Sequence, residues 1–311
     1  MKQKFYSHGK LLITGEYVVL DGAKALAIPT KKGQSLIVET NDTKLLKWKS
    51  YDCHGNIWYE TTIETSSFFN NKAPVGNSKF DTTLFKILWE ALQVNPKFID
   101  KTRGYSISTH LEFERLWGLG TSSTLINNIA QWAKINPFEL LNKSFGGSGY
   151  DIAAAEAKTP IFYQRTKDPD TPSIKKAIQF NPIFKDEIYF IYLENKMDSK
   201  DAIANYRSKS IYEINSVIAE IEKITDSIVN CTSIKEFETL IDQHEEIISN
   251  ILDCKTIKQI RFPDYHRSIK SLGGWGGDFV LVTANQNDLN YFSSKNYSTI
   301  ISFTDMVSEK F

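Results

Sequence analysis

Residues Gly118-Leu119-Gly120-Thr121-Ser122-Ser123 set two glycines and three hydroxyl side chains where a strand gives way to a helix. Two glycines let the backbone bend sharply and come close to a ligand. A helix start offers free N–H groups and the positive end of a dipole, which together favour an anion, most often phosphate. The hydroxyls have two uses open to them: capping the helix, or holding a metal that rides on the phosphates. Glycine followed by Thr/Ser before a helix is also an ordinary loop with an N-cap, and this stretch alone leaves both readings standing. There is no GxxxxGK[ST], so this is not a Walker-type loop, and no GxGxxG to support a dinucleotide fold.

Two further glycine clusters stand out: Gly146-Gly147-Ser148-Gly149-Tyr150-Asp151, and Gly273-Gly274-Trp275-Gly276-Gly277-Asp278 just before a predicted strand. Each alone is compatible with a tight turn. Ten of the 16 glycines lie in the three loops or at Gly9, a concentration that suggests backbone held close to ligands.

The elements that must position these loops follow from periodicity. Phe5–Ile13 reads as a strand leading into Thr14-Gly15-Glu16-Tyr17, and Asp21-Gly22 is a turn. Ala25–Ile28, Leu36–Glu39, Leu45–Trp48 and Ile57–Ile63 are short β-like runs, so the first third is a β-rich face. Ser66–Asp81 reads as loop. Thr82–Val94 follows the helical period through Leu84, Ile87, Leu88, Ala91 and Leu92. Tyr105–His110 alternates as a strand, and Leu125–Ile135 is a helix. Asn136 and Pro137 mark the start of another, and Asp151–Lys158 is a short alanine-rich helix that Pro160 ends. Thr166–Ser173 is a loop near a lobe boundary. Beyond it come a strand at Ile188–Leu193, a long helix from Lys200 to about Val229, and a second helix at Ile234–Leu252. Strands at Phe279–Thr283 and Ser298–Phe303 flank a further helix. Charges on the long helices read as solvated surface. The mix is α+β.

Composition bounds the rest. With 311 residues, the chain has room for two lobes. Its 41% hydrophobic and 24% charged residues are those of a globular protein that buries an ordinary core. A net charge of zero gives no electrostatic reason to expect nucleic acid or an anionic membrane. Cys53, Cys231 and Cys254 form no disulfide framework or CxxC pair, which fits a reducing, cytoplasmic setting. The five histidines show no HExxH spacing, and no apolar run spans a bilayer.

Three motifs in order resemble those of the GHMP-type small-molecule kinases, the group containing galactokinase, homoserine kinase, mevalonate kinase and phosphomevalonate kinase. Gly9-Lys10-Leu11-Leu12-Ile13-Thr14-Gly15-Glu16-Tyr17 through Asp21-Gly22 is similar to the first motif, Gly118–Ser123 to the second (usually GLGSSA), and Ile269–Val282 to a GAGGGD-like third. Tyr17 stands where mevalonate kinases usually carry His, as in many phosphomevalonate kinases. The string Gly149-Tyr150-Asp151-Ile152-Ala153 is similar to a subgroup known by those letters. His8, Thr121, Ser123 and Trp275 depart from the usual residues, and the bulky Trp275 puts the role of the third loop in question.

The resemblance implies an N-terminal S5-like ATP-binding lobe over 1–165 and a ferredoxin-like C-terminal lobe over 166–311. It implies ATP and Mg²⁺ as cofactors and a small-molecule acceptor, mevalonate or phosphomevalonate, in a monomer or homodimer. Gly118, Leu119, Gly120, Thr121, Ser122 and Ser123 would hold the ATP phosphates. Ser122 and Glu139 would bind Mg²⁺, although Glu139 also reads as a solvent-facing helix charge. Asp151 would accept the acceptor's proton and Lys10 would steady the γ-phosphate. Their other readings are an N-cap and a surface lysine. Glu16, Tyr17, Gly149, Gly274, Gly276 and Gly277 would shape the acceptor pocket, with Lys196 and Ser199 at its edge. A phosphorylated acceptor would need further basic groups such as Lys31, Lys32 or Arg115. The competing expectations are a catalytically silent sensor or scaffold, a kinase for homoserine or a sugar, and the related decarboxylase, which the motifs do not favour.

Overall fold

The computed structural model describes residues 2–166, 173–195, 199–209, 213–275 and 277–308. The chain is α+β and divides into two units. The first comprises Met1–Gly9, Lys32–Arg115 and Gly120–Glu156; the second comprises Lys10–Lys31, Leu116–Leu119 and Ala157–Phe311. Strands β1 (Lys2–Leu12) and β2 (Ala25–Asn41) contribute residues to both.

In the first unit, β3 (Leu45–Tyr51) and β4 (Ile57–Glu64) form an antiparallel hairpin. Helix α1 (Lys79–Val94) leads to β5 (Gly104–Leu111), which pairs parallel with β3 and antiparallel with Gln34–Asn41 of β2. Helices α2 (Thr121–Ala133), α3 (Pro137–Ser144) and α4 (Tyr150–Glu156) follow. Trp48, Ile107, Leu36 and Val38 from the sheet pack with Leu84, Leu88, Ile126 and Ile129 from the helices into one core. Burial of these side chains is the main force fixing α1 and α2, at about 25 cal/mol for each Å² of apolar surface removed from water.

In the second unit, Ala25–Ala27 of β2 pair with β6 (Ile161–Gln164), and β6 pairs with β7 (Ile174–Ala177). Then come β8 (Ile188–Tyr192), α5 (Ser199–Ser208), α6 (Ile214–Asn230), α7 (Ile234–Leu252) and α8 (Ile257–Arg261). Strands β9 (Ile269–Ser271) and β10 (Phe279–Thr283), helix α9 (Leu289–Ser294), strand β11 (Ile300–Ser302) and helix α10 (Phe303–Met306) complete it. The sheet order is β11-β8-β10-β9, antiparallel throughout. All five residues of β10 are buried, which is why Phe279–Val282 run apolar without alternating.

Three expectations change. Ala25–Ile28 and Leu36–Glu39 belong to one strand, β2, that passes through Pro29. The proline falls between the stretch laddered to β6 and the stretch laddered to β5, so it interrupts neither of these ladders. The long helix expected from Lys200 to about Val229 is two helices: α5 ends at Ser208, and α6 starts at Ile214 after Glu213, which has φ 63°. Not all charges on the long helices are solvated: His244 and Glu245 of α7 are buried. Most of the loop expected at Thr166–Ser173 lies outside the described residues.

Candidate functional site

Helix α2 begins at Gly120, which has φ 91° and ψ 44° and offers no side-chain cap. The Ser123 hydroxyl donates back to the Gly120 carbonyl at 2.9 Å, and the Thr124 hydroxyl to Gln34 Oε1 at 2.9 Å. Thr121 is half-buried and Ser122 exposed. Capping therefore is not what this stretch does for its helix. The first turn of α2 thus begins without a side-chain cap, an arrangement that can receive an anion. A buried polar network holds the helix in place: Ser7 donates to Asn128 Oδ1 at 2.8 Å, Asn127 donates to Ser7 at 2.9 Å, and Asn128 donates to the Gln34 carbonyl at 2.9 Å. These bonds tie α2 to β1 and β2, although Asn127 Oδ1 is buried without a hydrogen-bond partner.

The three glycine motifs meet one another within the second unit. The Lys10 N–H donates to the Leu119 carbonyl at 3.0 Å, tying the first to the second. Gly118, at φ 66°, lies against the Asp278 carboxyl group, so a Cβ there would overlap it; this ties the second to the third. Asp278 is itself pinned, its N–H donating to the Asn195 carbonyl at 2.6 Å and its carbonyl accepting from Leu193 at 2.8 Å. The third loop is the hairpin turn between β9 and β10, closed by the Gly277 N–H on the Gly274 carbonyl at 3.2 Å, with both glycines buried. Gly276 lies outside the described residues. The Trp275 N–H donates to the Tyr17 hydroxyl at 2.8 Å, and its indole N–H to the Lys255 carbonyl at 3.1 Å. The indole packs beside Tyr17, Tyr206 and Leu252, so its bulk is absorbed by the helical layer.

Beneath this turn is a buried ionic cluster. Lys270 Nζ, fully buried, donates to Glu16 Oε1 at 2.5 Å and stands 3.8 Å from Glu245 Oε1. Glu245 also accepts from the Ser271 hydroxyl at 3.2 Å. His244 Nε2 accepts the Gly15 N–H at 2.9 Å. Burial, reinforced by Lys270, holds the imidazole pKa well below its ordinary value, so the ring is neutral and its 3.3 Å approach to Glu16 is no ion pair. Burial pushes the Glu245 carboxyl up to about 8, against the pull of Lys270. It also raises Glu16, again opposed by Lys270. The short bond makes Glu16 the ion-pair partner of Lys270, while Glu245 keeps a proton at neutral pH. One cation then faces one anion, and the cluster avoids burying a net charge.

Asp151, Gly149, Glu139 and Arg115 lie in the first unit. Asp151 is in the first turn of α4, half-buried, and its Oδ1 accepts the Ile152 N–H at 3.1 Å. Gly149, buried at φ 87°, gives its carbonyl to the Ala153 N–H at 3.0 Å. Glu139 sits in the first turn of α3, half-exposed, 3.9 Å from Lys143. Arg115 is stacked 3.9 Å over the Trp58 ring.

No family model and no curated protein sequence matches the chain. Solved structures do match over nearly its whole length. Methanococcus jannaschii mevalonate kinase is 13% identical with a TM-score of 0.68, over 97% of this chain and 96% of that one. Streptococcus pneumoniae phosphomevalonate kinase, in complex with phosphomevalonate and AMPPNP, is 14% identical with a TM-score of 0.66, over 95% of each chain. Lactococcus lactis galactokinase complexed with galactose is 11% identical with a TM-score of 0.68, over 99% of this chain and 94% of that one. The chain has the GHMP-kinase fold.

Within that GHMP-kinase fold, the residues that sequence reasoning missed are Lys270, Glu245 and His244. Charged residues on an amphipathic helix and a three-residue strand carry no mark of burial. The one available signal was the run Ile269-Lys270-Ser271-Leu272 before the third glycine loop, where a lysine interrupts an otherwise buried stretch. Lys196 lies outside the described residues, and Ser199 opens α5.

Proposed function

We propose that the chain is an ATP-dependent phosphotransferase that moves the γ-phosphate to a small-molecule acceptor, with mevalonate or phosphomevalonate the preferred candidates. The observation that carries the reading is the start of α2: a helix N-terminus with no side-chain cap, entered through Gly118 and Gly120, both at positive φ. A Cβ at either position would strain the bend, and an acidic cap would occupy the donors a phosphate needs.

Transfer of a phosphoryl group requires positioning and charge neutralisation more than covalent participation by the protein. The Gly118–Ser123 backbone fits the nucleotide phosphates, with Thr121 and Ser122 adding hydroxyls. The exposed Ser122 hydroxyl and the Glu139 carboxylate are oxygen donors of the kind Mg²⁺ takes. When bound, Mg²⁺ neutralises phosphate charge. In this reading Asp151 accepts the proton of the acceptor hydroxyl, and Lys10 steadies charge on the transferred group. Glu16 acts through Lys270, holding the third loop at its place, while Tyr17 fixes that loop through the Trp275 N–H. In the same reading Gly149, Gly274, Gly276 and Gly277 border the acceptor.

A silent sensor of the same fold would lean on Trp275 as an obstruction. Because the indole is bonded to Lys255 and packed on the helices, it gives that alternative no support. The test is acceptor-dependent ADP release with Mg²⁺ and a panel of mevalonate, phosphomevalonate, homoserine and galactose. One acceptor is expected to drive turnover. Asp151→Asn is expected to keep ATP affinity while cutting turnover by about 10²–10⁴-fold. Undiminished turnover in that variant would remove the role assigned to Asp151, and no turnover with any acceptor would leave the chain without a demonstrated substrate of this class.

A further inference from the structure

Away from the glycine motifs, the turn joining β3 to β4 presents a soft donor set. Cys53 and His54 are adjacent on this turn, and Glu114 comes from the segment that follows β5. One ligand atom from each, the Cys53 sulfur, a His54 ring nitrogen and a Glu114 carboxylate oxygen, lie within 4.8 Å of one another. His54 Nε2 is 2.7 Å from Glu114 Oε1.

Both sides of this group are held by backbone or buried contacts. Asp52 organises the turn: its Oδ1 accepts the N–H groups of His54 and Asn56 at 2.9 and 2.8 Å, and its N–H donates to the Asn56 carbonyl at 2.9 Å. Glu114 sits between three fixed neighbours. Glu112 Oε2 accepts the Tyr6 hydroxyl at 2.7 Å and the Gly33 N–H at 2.9 Å, Phe113 is buried, and Arg115 stacks on Trp58. Pre-positioned ligands on anchored backbone are what a metal site needs, since little order then remains to be imposed on binding.

We propose that Cys53, His54 and Glu114 bind a thiophilic divalent cation of the zinc type. A thiolate and a carboxylate supply two negative charges and the neutral imidazole none, so a doubly charged ion makes the site neutral. As the sulfur–metal bond forms, the thiol proton leaves to solvent. Three protein ligands leave a fourth tetrahedral position for water. Adjacent ligand atoms around such an ion stand about 3.4 Å apart, so the His54–Glu114 contact must open by less than an ångström. Both side chains are exposed enough to allow it, at 67% and 42%. Sulfur and imidazole select against Mg²⁺, the ion expected with ATP, so the two metals do not compete for this site. Glu114 lies four residues before Gly118 in the chain, and an ion fastening it to the turn would restrain the segment that enters the phosphate loop.

The test is titration of the metal-free full chain with Co²⁺, followed by absorbance. One equivalent is expected to produce a thiolate-to-cobalt charge-transfer band with tetrahedral visible bands, both bleached by Zn²⁺. Cys53→Ser is expected to abolish the charge-transfer band, and His54→Ala or Glu114→Gln to weaken binding at least about tenfold. The double variant C231S/C254S is expected to retain the full signal. Absence of the band in the natural chain, or its survival in Cys53→Ser, would overturn the assignment.

Discussion

Lys270 and Glu16, 254 residues apart in sequence, meet as a buried ion pair at 2.5 Å. The pair joins the first motif to the strand that launches the third. A buried pair of this kind adds little net stability over an apolar substitute, but breaking it from one side strands a charge.

Lys270→Met is therefore expected to lower the unfolding free energy by about 3–5 kcal/mol, as leaving one buried partner unpaired does. Adding Glu16→Gln to that variant removes the stranded carboxylate and is expected to recover part of the loss. Urea denaturation of the single and double variants checks this. Additive losses would mean that the two side chains do not act as a pair.

Glu245 gives the fold a pH dependence with a definite sign. Its folded pKa, about 8, lies above the ordinary carboxylate value of 4.5. In that interval the native state holds a proton that the unfolded state has lost. The stabilisation is complete below about pH 4.5 and disappears as pH rises through 8. Glu245→Gln, which mimics the protonated form, is expected to flatten the decline in stability between pH 5 and pH 8.5. Denaturation midpoints at several pH values measure it, and an unchanged slope would show that Glu245 does not carry the effect.

Gly118 is restricted twice, by its φ of 66° and by the Asp278 carboxyl group against it. Gly118→Ala is expected to cost about 1–3 kcal/mol from the left-handed backbone, plus the overlap. In an Asp278→Gly background the overlap is gone, and the same substitution is expected to cost less. A double-mutant cycle in thermal unfolding separates the two contributions. Equal costs in both backgrounds would mean that the contact is not what constrains Gly118.

Much of the fold was legible because its signals are local. Asn136 before Pro137 marks the start of α3, and the Asn136 side chain does accept the Phe138 N–H. The apolar period over Ile234–Leu252 matches α7 residue for residue. The continuity of β2 through Pro29 was not legible, since it depends on which partners the strand meets on either side of the proline. The fresh helix start at Ile214 was hidden because only backbone geometry shows the positive φ of Glu213 before it. Within the candidate site, the glycine loops announced themselves by composition. The buried state of Glu16, His244, Glu245 and Lys270 did not, because burial of a charge is decided by partners distant in sequence. That Thr121–Ser123 do not cap α2 was not legible either: it depends on Gly120 being the helix boundary, with the Ser123 hydroxyl bonded back to the Gly120 carbonyl.

Calorimetric titration of ATP with Mg²⁺ into the natural chain and into Gly120→Asp tests the phosphate cradle directly. An aspartate at that position would set a carboxylate beside the phosphate loop and repel phosphate. The natural chain is predicted to bind ATP far more tightly than adenosine, and Gly120→Asp to lose at least about 100-fold in ATP affinity while remaining folded, a loss near 2.7 kcal/mol. Equal binding of ATP by the two proteins, or no preference for ATP over adenosine, would contradict the account.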